Sequence, residues 1–301
     1  MIARFRQGNM NASSTPSIKV YPDYFRGKVL HIVSRHQKQQ YLEPVLASRL
    51  GFVCKTVSEV DTDLLGTFSG EVARTLSPVD CAREKCKRAR EFVSDGYLLA
   101  SEGSFGPHPT LGWVTAGEEW LILYDIEEDA ELIVRDITLD TCFLGKAIAN
   151  EQQCLDFLQK VGFSNQRVIV KSSQEQPEII FKNGSTPEEI VKSMHNMLNE
   201  KGNCYIETDM RAMFNPTRQQ HLNKLAGLLA DKLNSVCLDC GWYGFSVTSV
   251  ERGLPCSWCG TPTHSVINEI YTCNRCNCKQ NKKFPQGIQQ EDPQYCNQCN
   301  P

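Results

Sequence analysis

No apolar run in this 301-residue chain approaches the ~18 residues that a membrane-spanning helix needs, which excludes an integral membrane protein. The first twenty residues, MIARFRQGNMNASSTPSIKV, lack an apolar segment, so they do not read as a secretory signal. An excess of one charge is missing too. Lys and Arg number 32 against 35 Asp and Glu, the net charge is −3 and the pI is near 6.1, which argues against a chain built to coat nucleic acid. There is no internal repeat apart from a recurring cysteine spacing. What is present is an apolar share of 41%, enough for a packed core, on a length that suits about two domains.

The chain is rich in cysteine, with 15, and nine fall in the last 65 residues. Eight of these form four Cys-x-x-Cys pairs: Cys237/Cys240, Cys256/Cys259, Cys273/Cys276 and Cys296/Cys299. Two thiolates separated by two residues can turn back and offer both sulfurs to one tetrahedral ion, and two such pairs complete a four-cysteine site. The connecting lengths of 15, 13 and 19 residues resemble those of ribbon-type zinc modules. Two structural Zn2+ sites are therefore expected. Sequential pairing, first with second and third with fourth, is favoured over interleaved pairing because each half then reads as a short hairpin around one ion. Without an export signal, disulfides do not fit, and the cysteine content points to a reducing, cytoplasmic setting. Cys278 reads as a spare thiol and His264 as a surface residue or a neighbour of the ligands. The six other cysteines read as small apolar residues.

The organisation that follows is a loose arm over residues 1–18, an α/β domain over 19–236 and a zinc-ribbon module over 237–301. Strand and helix periods alternate through the middle segment. Strands are predicted at 28–34, 52–57, 97–101, 118–125, 131–136, 167–171, 178–181 and 203–208. Helices are predicted from Gln39 to Leu50, after the Ser77-Pro78-Val79-Asp80 cap, over 151–161, after Thr186-Pro187-Glu188-Glu189, and after Asn215-Pro216-Thr217. This alternation gives the fold class, a mixed sheet with flanking helices. On the second helix Val79, Ala82, Cys86, Ala89 and Val93 share the inner side, and the basic residues Arg83, Lys85, Lys87, Arg88 and Arg90 are assigned to a solvated face.

Polar segments at the ends of buried strands are where α/β proteins place their sites, and four qualify. Ser34-Arg35-His36-Gln37-Lys38 joins a strand to a helix and suits a phosphate or carboxylate, although it lacks the glycines of a P-loop. The segment from Asp61 to Glu71 offers carboxylates and hydroxyls to a hard cation such as Mg2+. In Ala100–Pro109, Glu102 lies between a buried strand and glycines, where it can bind metal or act as general base, and His108 can act as acid or ligand. In Glu207–Arg218, Arg211 and Arg218 can clamp an anion or form an internal salt-bridge network.

The combination of DTDLLGTFSGE (61–71), ASEGSFGPHP (100–109), ETDMRAMFNPTR (207–218) and GLPCSWCGTPT (253–263) resembles a bacterial family of domain-of-unknown-function proteins with a C-terminal zinc ribbon. That resemblance spans roughly residues 28–280 and implies a family without an activity. Over residues 28–125, the order strand, Ser-x-x-x-Lys, helix, Glu71, capped basic helix, strand, Glu102-Gly103 is similar to inosine/xanthosine triphosphate pyrophosphatases. The resemblance implies that Ser34 and Lys38 contact phosphate, and that Glu71 and Glu102 serve Mg2+ or the base. The chain departs from that pattern in a Ser-to-Lys spacing one residue short and in a missing glycine–asparagine after the hydroxyl. Ser101-Glu102 also stands where an aspartate cluster is often found. The resulting expectation is a Mg2+-dependent hydrolase of a nucleotide or other phosphate ester, with catalytic Glu102, Glu71 and His108 and substrate-binding Ser34, Lys38, Arg211 and Arg218. The alternative is a non-enzymatic adaptor that recognises a protein or nucleic-acid partner through its zinc ribbon, where Trp242, Tyr243, Phe245 and Trp258 form either a small core or a docking face. Residues 237–301 carry five Lys/Arg and five Asp/Glu, a neutral balance that weakens the nucleic-acid option.

Overall fold

The computed structural model describes residues 23–67 and 71–301. The predicted arm over 1–18 lies outside them. The chain divides into two compact units, one spanning Asp23–Ala230 and one containing Asp231–Pro301.

In the first unit, β1 (Val29–Val33), α1 (Gln39–Leu50) and β2 (Val53–Val57) form where the periodicity places them. Helix α1 buries Leu42, Leu46 and Leu50 and stops at Gly51, whose φ of 74° is a left-handed cap conformation that glycine adopts at little cost. Helix α2 (Pro78–Ala89) opens as its sequence dictates, with Pro78 in the first turn and the Ser77 hydroxyl accepting the Asp80 N–H at 3.2 Å. Strands β3 (Tyr97–Pro107), β4 (Thr115–Asp125) and β5 (Ala130–Thr138) complete a sheet of order β2-β1-β3-β4-β5. Strands β2, β1 and β3 run parallel, and β3, β4 and β5 form an antiparallel meander.

Strand β3 corrects the prediction that a turn follows residue 101. It runs six residues further and pairs with β4 as far as Pro107–Thr115, so the Glu102 segment is strand rather than loop. Its pairing with β1, in contrast, ends at Val33–Ala100. Beyond that point the β1-side edge of β3 is open.

Val33, Leu98, Ala100 and Ile122 pack with Ala82, Cys86 and Ala89 of α2. Leu30, Ile32 and Leu99 alternate with these residues, so they point to the opposite face, where they too are fully buried. Connections between parallel strands are right-handed, so stepping outward from β1 to β2 and back past β1 to β3 puts α1 and α2 on opposite faces. The chain therefore reverses its winding between β1 and β3, and a crevice opens at their carboxyl ends.

The rest of the first unit is built on a second sheet, which the sequence did not separate from the first. Strands β6 (Gly145–Ala147), β7 (Val168–Lys171), β8 (Ile180–Phe181) and β9 (Tyr205–Thr208) take the order β6-β9-β7-β8, all antiparallel. Helices α3 (Glu151–Val161) and α4 (Pro187–Lys201) supply Phe157, Leu158, Ile190 and Met194 to a core with Val168, Val170 and Ile206. Thr186 and Glu189 form the capping box that starts α4. Helix α5 (Pro216–Asn234) follows, with the Asn215 side chain accepting the Arg218 N–H at 2.9 Å. In the second unit β10 (Ser246–Arg252), β11 (Val266–Thr272) and β12 (Lys279–Lys283) form an antiparallel meander.

One buried ion pair ties β4 to the start of α5. Arg218 Nε donates to Glu119 at 2.5 Å, and both side chains are almost completely buried. The Arg218 guanidinium also donates to the Met210 carbonyl and stands 5.3 Å from the Phe105 ring centroid. Gly103 makes room for this pair, since a Cβ there would lie 2.7 Å from Arg218 Nη2 and 2.8 Å from Glu119 Oε1. Gly103→Ala is therefore expected to destabilise the first unit by about 1–3 kcal/mol through overpacking. Gly106→Ala, where no atom lies within 4 Å of the added Cβ, should change little. Urea unfolding of both variants checks this, and equal stabilities would remove the packing account.

Candidate functional site

The cysteines of the second unit gather into two clusters, and the grouping overturns the sequential pairing favoured from the sequence. Cys237, Cys240, Cys273 and Cys276 form one, and Cys256, Cys259, Cys296 and Cys299 the other. The meander explains why. Strand β10 begins where β11 ends, with Ser246 opposite Thr272, so the pair preceding β10 meets the pair following β11. The pair at 256/259 lies in the connection at the far end. Strand β12 runs back antiparallel to β11 and delivers the last pair to that same end.

Within the clusters the sulfur spacing fits a metal. Cys237–Cys276 and Cys240–Cys273 stand 3.7 and 3.6 Å apart, and Cys256–Cys299 and Cys259–Cys296 stand 3.9 and 3.6 Å apart. Four sulfurs ~2.3 Å from a central ion sit about 3.8 Å from one another, whereas a disulfide needs ~2.05 Å. Both clusters can thus hold a metal ion, and all fifteen cysteines are free of disulfides. Three of the four pairs share a turn in which the residue after the second cysteine is left-handed: Gly241 at φ 71°, Gly260 at 71° and Asn277 at 59°. In each, that residue's N–H returns to the carbonyl of the first cysteine at 2.9 Å. Cys278 and His264 belong to neither cluster. Trp242, Tyr243 and Phe245 are buried, but Trp258, between two ligands of the second cluster, is 80% exposed.

The crevice between β1 and β3 is a separate site within the first unit. It is lined by Ser34, Arg35, His36 and Lys38 from the β1–α1 loop, Asp63, Glu71 and Arg74 from the β2–α2 connection, and Lys85 from α2. Glu102 from β3 completes it with Lys182 and Arg211. Gln37, in the first loop, adopts φ 56°, a left-handed conformation uncommon for a residue with a side chain.

Glu102 is the electrostatic centre of this crevice. One of its oxygens pairs with Arg74 Nη2 at 2.9 Å, and the other pairs closely with Lys85 Nζ and accepts the Cys81 thiol at 3.5 Å. Burial alone would raise its carboxyl, but Lys85, Lys38 and Arg74 hold it well below the usual carboxylate range. Around this centre most cations have a carboxylate of their own: Arg35 with Asp61 at 2.5 Å, Lys182 with Glu71 at 2.6 Å and Arg211 with Asp209 at 2.6 Å, while the His36 imidazole, its pKa lowered by burial, stands 3.4 Å from Asp63. Lys38 is the exception. Its ammonium donates to the Ser101 carbonyl at 3.2 Å and the Ser101 hydroxyl at 3.0 Å.

Of the residues singled out from the sequence, Ser34, Lys38, Glu71, Glu102 and Arg211 converge on the crevice. Ser34 accepts the Lys38 N–H at 3.1 Å and so shapes the loop. His108 is elsewhere, its Nδ1 accepting the N–H groups of Thr110 and Leu111 at 3.1 and 3.0 Å in the turn after β3. Arg218 does not line the crevice, because it is engaged by Glu119 behind it. The carboxylates of the 61–71 segment, read as oxygen ligands for a hard cation, are engaged by side chains here, Asp61 by Arg35, Asp63 by His36 and Glu71 by Lys182. Phe68, Ser69 and Gly70 of that segment lie outside the described residues. Lys85, assigned from the sequence to a solvated face, is 5% exposed and faces Glu102. A signal existed, since Cys81, Ala82, Lys85, Cys86 and Ala89 form one i, i+3, i+4 stripe with the lysine inside it. Arg74 and Lys182 sit in irregular segments and carry no periodic signal.

The profile of a family described as "Domain of unknown function (DUF6671)" matches residues 85–301. No curated protein and no solved structure matches the chain. The matched span includes Lys85, Glu102, Arg211, Arg218 and all eight clustered cysteines, and it leaves out the β1–α1 loop.

Removing the central carboxylate should be costly. Glu102→Gln leaves Lys85 buried beside an uncharged amide, and breaking a buried pair in this way costs about 3–5 kcal/mol. Because the folded-state carboxyl is depressed, its contribution is full above the unfolded-state range near ~4.5 and is lost as the pH falls below it. The stability gap between wild type and Glu102→Gln, measured by urea unfolding, should be widest at neutral pH and narrow toward acid. A gap independent of pH would contradict the assignment.

Proposed function

The chain belongs to the DUF6671 family, a domain of unknown function, and we propose that its first unit binds a phosphorylated small molecule, a nucleotide or other phosphate ester, in the crevice between β1 and β3. The observation that carries this reading is the charge of the lining. Arg35, Arg74, Lys85, Lys182 and Arg211 face it against Asp63, Glu71 and Glu102, with Lys38 and His36 beside them, so the lining carries more basic than acidic side chains. A crevice at the carboxyl ends of parallel strands, where the winding reverses, is the place where open α/β sheets hold such ligands.

Mg2+-dependent hydrolysis is the reaction this reading favours, and it gives Glu102 a different task from the one expected of it. With both oxygens engaged by cations, Glu102 acts as the anchor that holds Lys85 and Arg74 in the crevice, not as base or metal ligand. Among the described residues, only the cysteine clusters bring three or more metal-ligating groups together. Mg2+ would therefore arrive on the phosphates and take one or two carboxylates from the lining, the usual mode for this ion. Asp63 and Glu71, which face the crevice from the β2–α2 connection, suit that role. Its chemistry there would be to neutralise charge on the transferring phosphoryl group. The clusters are assigned to zinc as structural ions, because four thiolates in tetrahedral spacing are its characteristic donor set. A partner-binding role for the cysteine-rich unit is the second reading, and it would draw on the exposed aromatics Trp258 and Tyr295.

Calorimetric titration with pyrophosphate and a nucleoside triphosphate, with and without Mg2+, tests the reading. Binding is expected to weaken at least tenfold in Arg35→Glu and to fall with added salt. Phosphate release from a nucleotide panel tests the reaction. Failure of the zinc-loaded wild type to bind any of these anions would sink the proposal. Elemental analysis should find two zinc ions per chain. Replacing Cys237 and Cys273 together with serine should remove one ion, and replacing Cys237 and Cys256 together should remove both.

A further inference from the structure

The preceding reading leaves open which group takes up a proton in the crevice, since its central carboxylate is neutralised. Two lysines reach the same acceptor there. Lys38 Nζ and Lys85 Nζ each donate to the Ser101 carbonyl oxygen at 3.2 Å, which holds two ammonium nitrogens within a few ångströms of each other. They are not equivalent. Lys85 has Glu102 as a direct partner, whereas Lys38 has no carboxylate within ion-pair distance among the described residues and shares its remaining contact with a neutral hydroxyl.

The position of Ser101 explains the arrangement. It lies one residue beyond the end of β1–β3 pairing, on the open edge of β3. Its side chain points to the sheet face opposite that of Glu102. Lys38 meets the hydroxyl, Lys85 meets the carboxylate, and the backbone carbonyl between them is shared. The charges that act most on Lys38 come from different elements, Lys85 from α2, Arg218 from α5, Glu102 from β3 and Glu119 from β4, while Arg35, His36, Asp63, Arg74 and Arg211 line the same crevice. Glu102 and Glu119 oppose the two cations, but each is itself held by one of them, Glu102 by Lys85 and Glu119 by Arg218.

We propose that Lys38 is the proton acceptor of the crevice, an amine kept uncharged by its placement beside Lys85 and Arg218 in a buried position without a carboxylate of its own. This rests on the phosphate-ester reading of the same site and replaces Glu102 in the role of base. In hydrolysis, the oxygen of the attacking water bonds to phosphorus as its O–H bond breaks, the proton passes to the Nζ lone pair, and the phosphorus–leaving-group bond breaks. Lys38 becomes an ammonium beside the newly charged products, and its proton returns to solvent or leaving group. The direction of its titration agrees. Burial, with Arg218 and Lys85 adding to it, lowers the Lys38 ammonium to about 7, far from the usual lysine value.

The test needs no substrate. Trace acetylation of the full-length, zinc-loaded protein with labelled acetic anhydride across pH 5–11, read peptide by peptide by mass spectrometry, reports the uncharged fraction of each lysine. Lys38 is expected to reach half its maximal reactivity near pH 7, well below the range usual for an exposed lysine. Lys85→Met, which removes the like charge on the shared carbonyl, should move the Lys38 midpoint upward. Co-titration of Lys38 with the exposed lysines would overturn the proposal, and so would a Lys38 unreactive at every pH, because a proton acceptor must be reachable from the crevice. Pyrophosphate should slow the acetylation of Lys38. If it does not, yet the midpoint stays near 7, the phosphate-ester reading fails while the uncharged amine stands. Lys38→Arg, which replaces the amine with a permanent cation unable to accept a proton, should retain pyrophosphate binding and lose the neutral-pH inflection of phosphate release.

Discussion

A carboxylate buried in a protein is tolerable only where it meets fixed positive charge, and the first unit is arranged around one such group, Glu102. Strand β3 carries it past the end of its neighbour β1, helix α2 presents Lys85 to it, and the β2–α2 connection brings Arg74. Each of these elements would have an uncompensated charge without the other two. The same requirement recurs one layer deeper, where Glu119 receives Arg218 and Gly103 clears the space between the two pairs. The glycine and the two glutamates are thus one solution to a single problem of charge and volume.

This arrangement separates holding charge from exchanging it. Groups locked into pairs set the potential of the crevice. A group deprived of a partner is the one free to change state. Lys38 and Lys85 begin as chemically identical side chains on one carbonyl, and a single carboxylate, placed on one side of the strand, gives them different properties. Local asymmetry of this kind needs no unusual residue.

Much of this was legible in the sequence. The helix starts at Ser77-Pro78 and Thr186-Pro187, the strands at 28–34 and 52–57, and the cysteine pairs were readable because caps, periods and ligand spacing are local codes. The convergence of Ser34, Lys38, Glu102 and Arg211 was approachable through the rule that sites gather at strand ends. What escaped was non-local. Lys85 was placed outside by its charge, although its neighbours on the helix put it inside. The sequence read β3 as ending at residue 101 because glycines 103 and 106 look like turn residues, whereas Gly103 serves a packing need set by Arg218, over a hundred residues away. Pairing among the cysteines depended on the direction of β12, and spacing alone contains no direction.

The interleaved clusters have a consequence for how the second unit comes into being. Each cluster closes the ends of one hairpin, Cys237 to Cys276 across β10–β11 and Cys256 to Cys299 across β11–β12, and because the two hairpins share β11 their loops overlap. During synthesis the chain must already hold both early pairs, with all four sulfurs unpaired, before the third pair emerges to close the first ring. Until then those thiols are open to oxidation, and closing each long loop costs entropy that a bound ion would help to recover. The threading order thus makes both rings close late in synthesis, the first only once Cys276 has been made and the second only once Cys299 has.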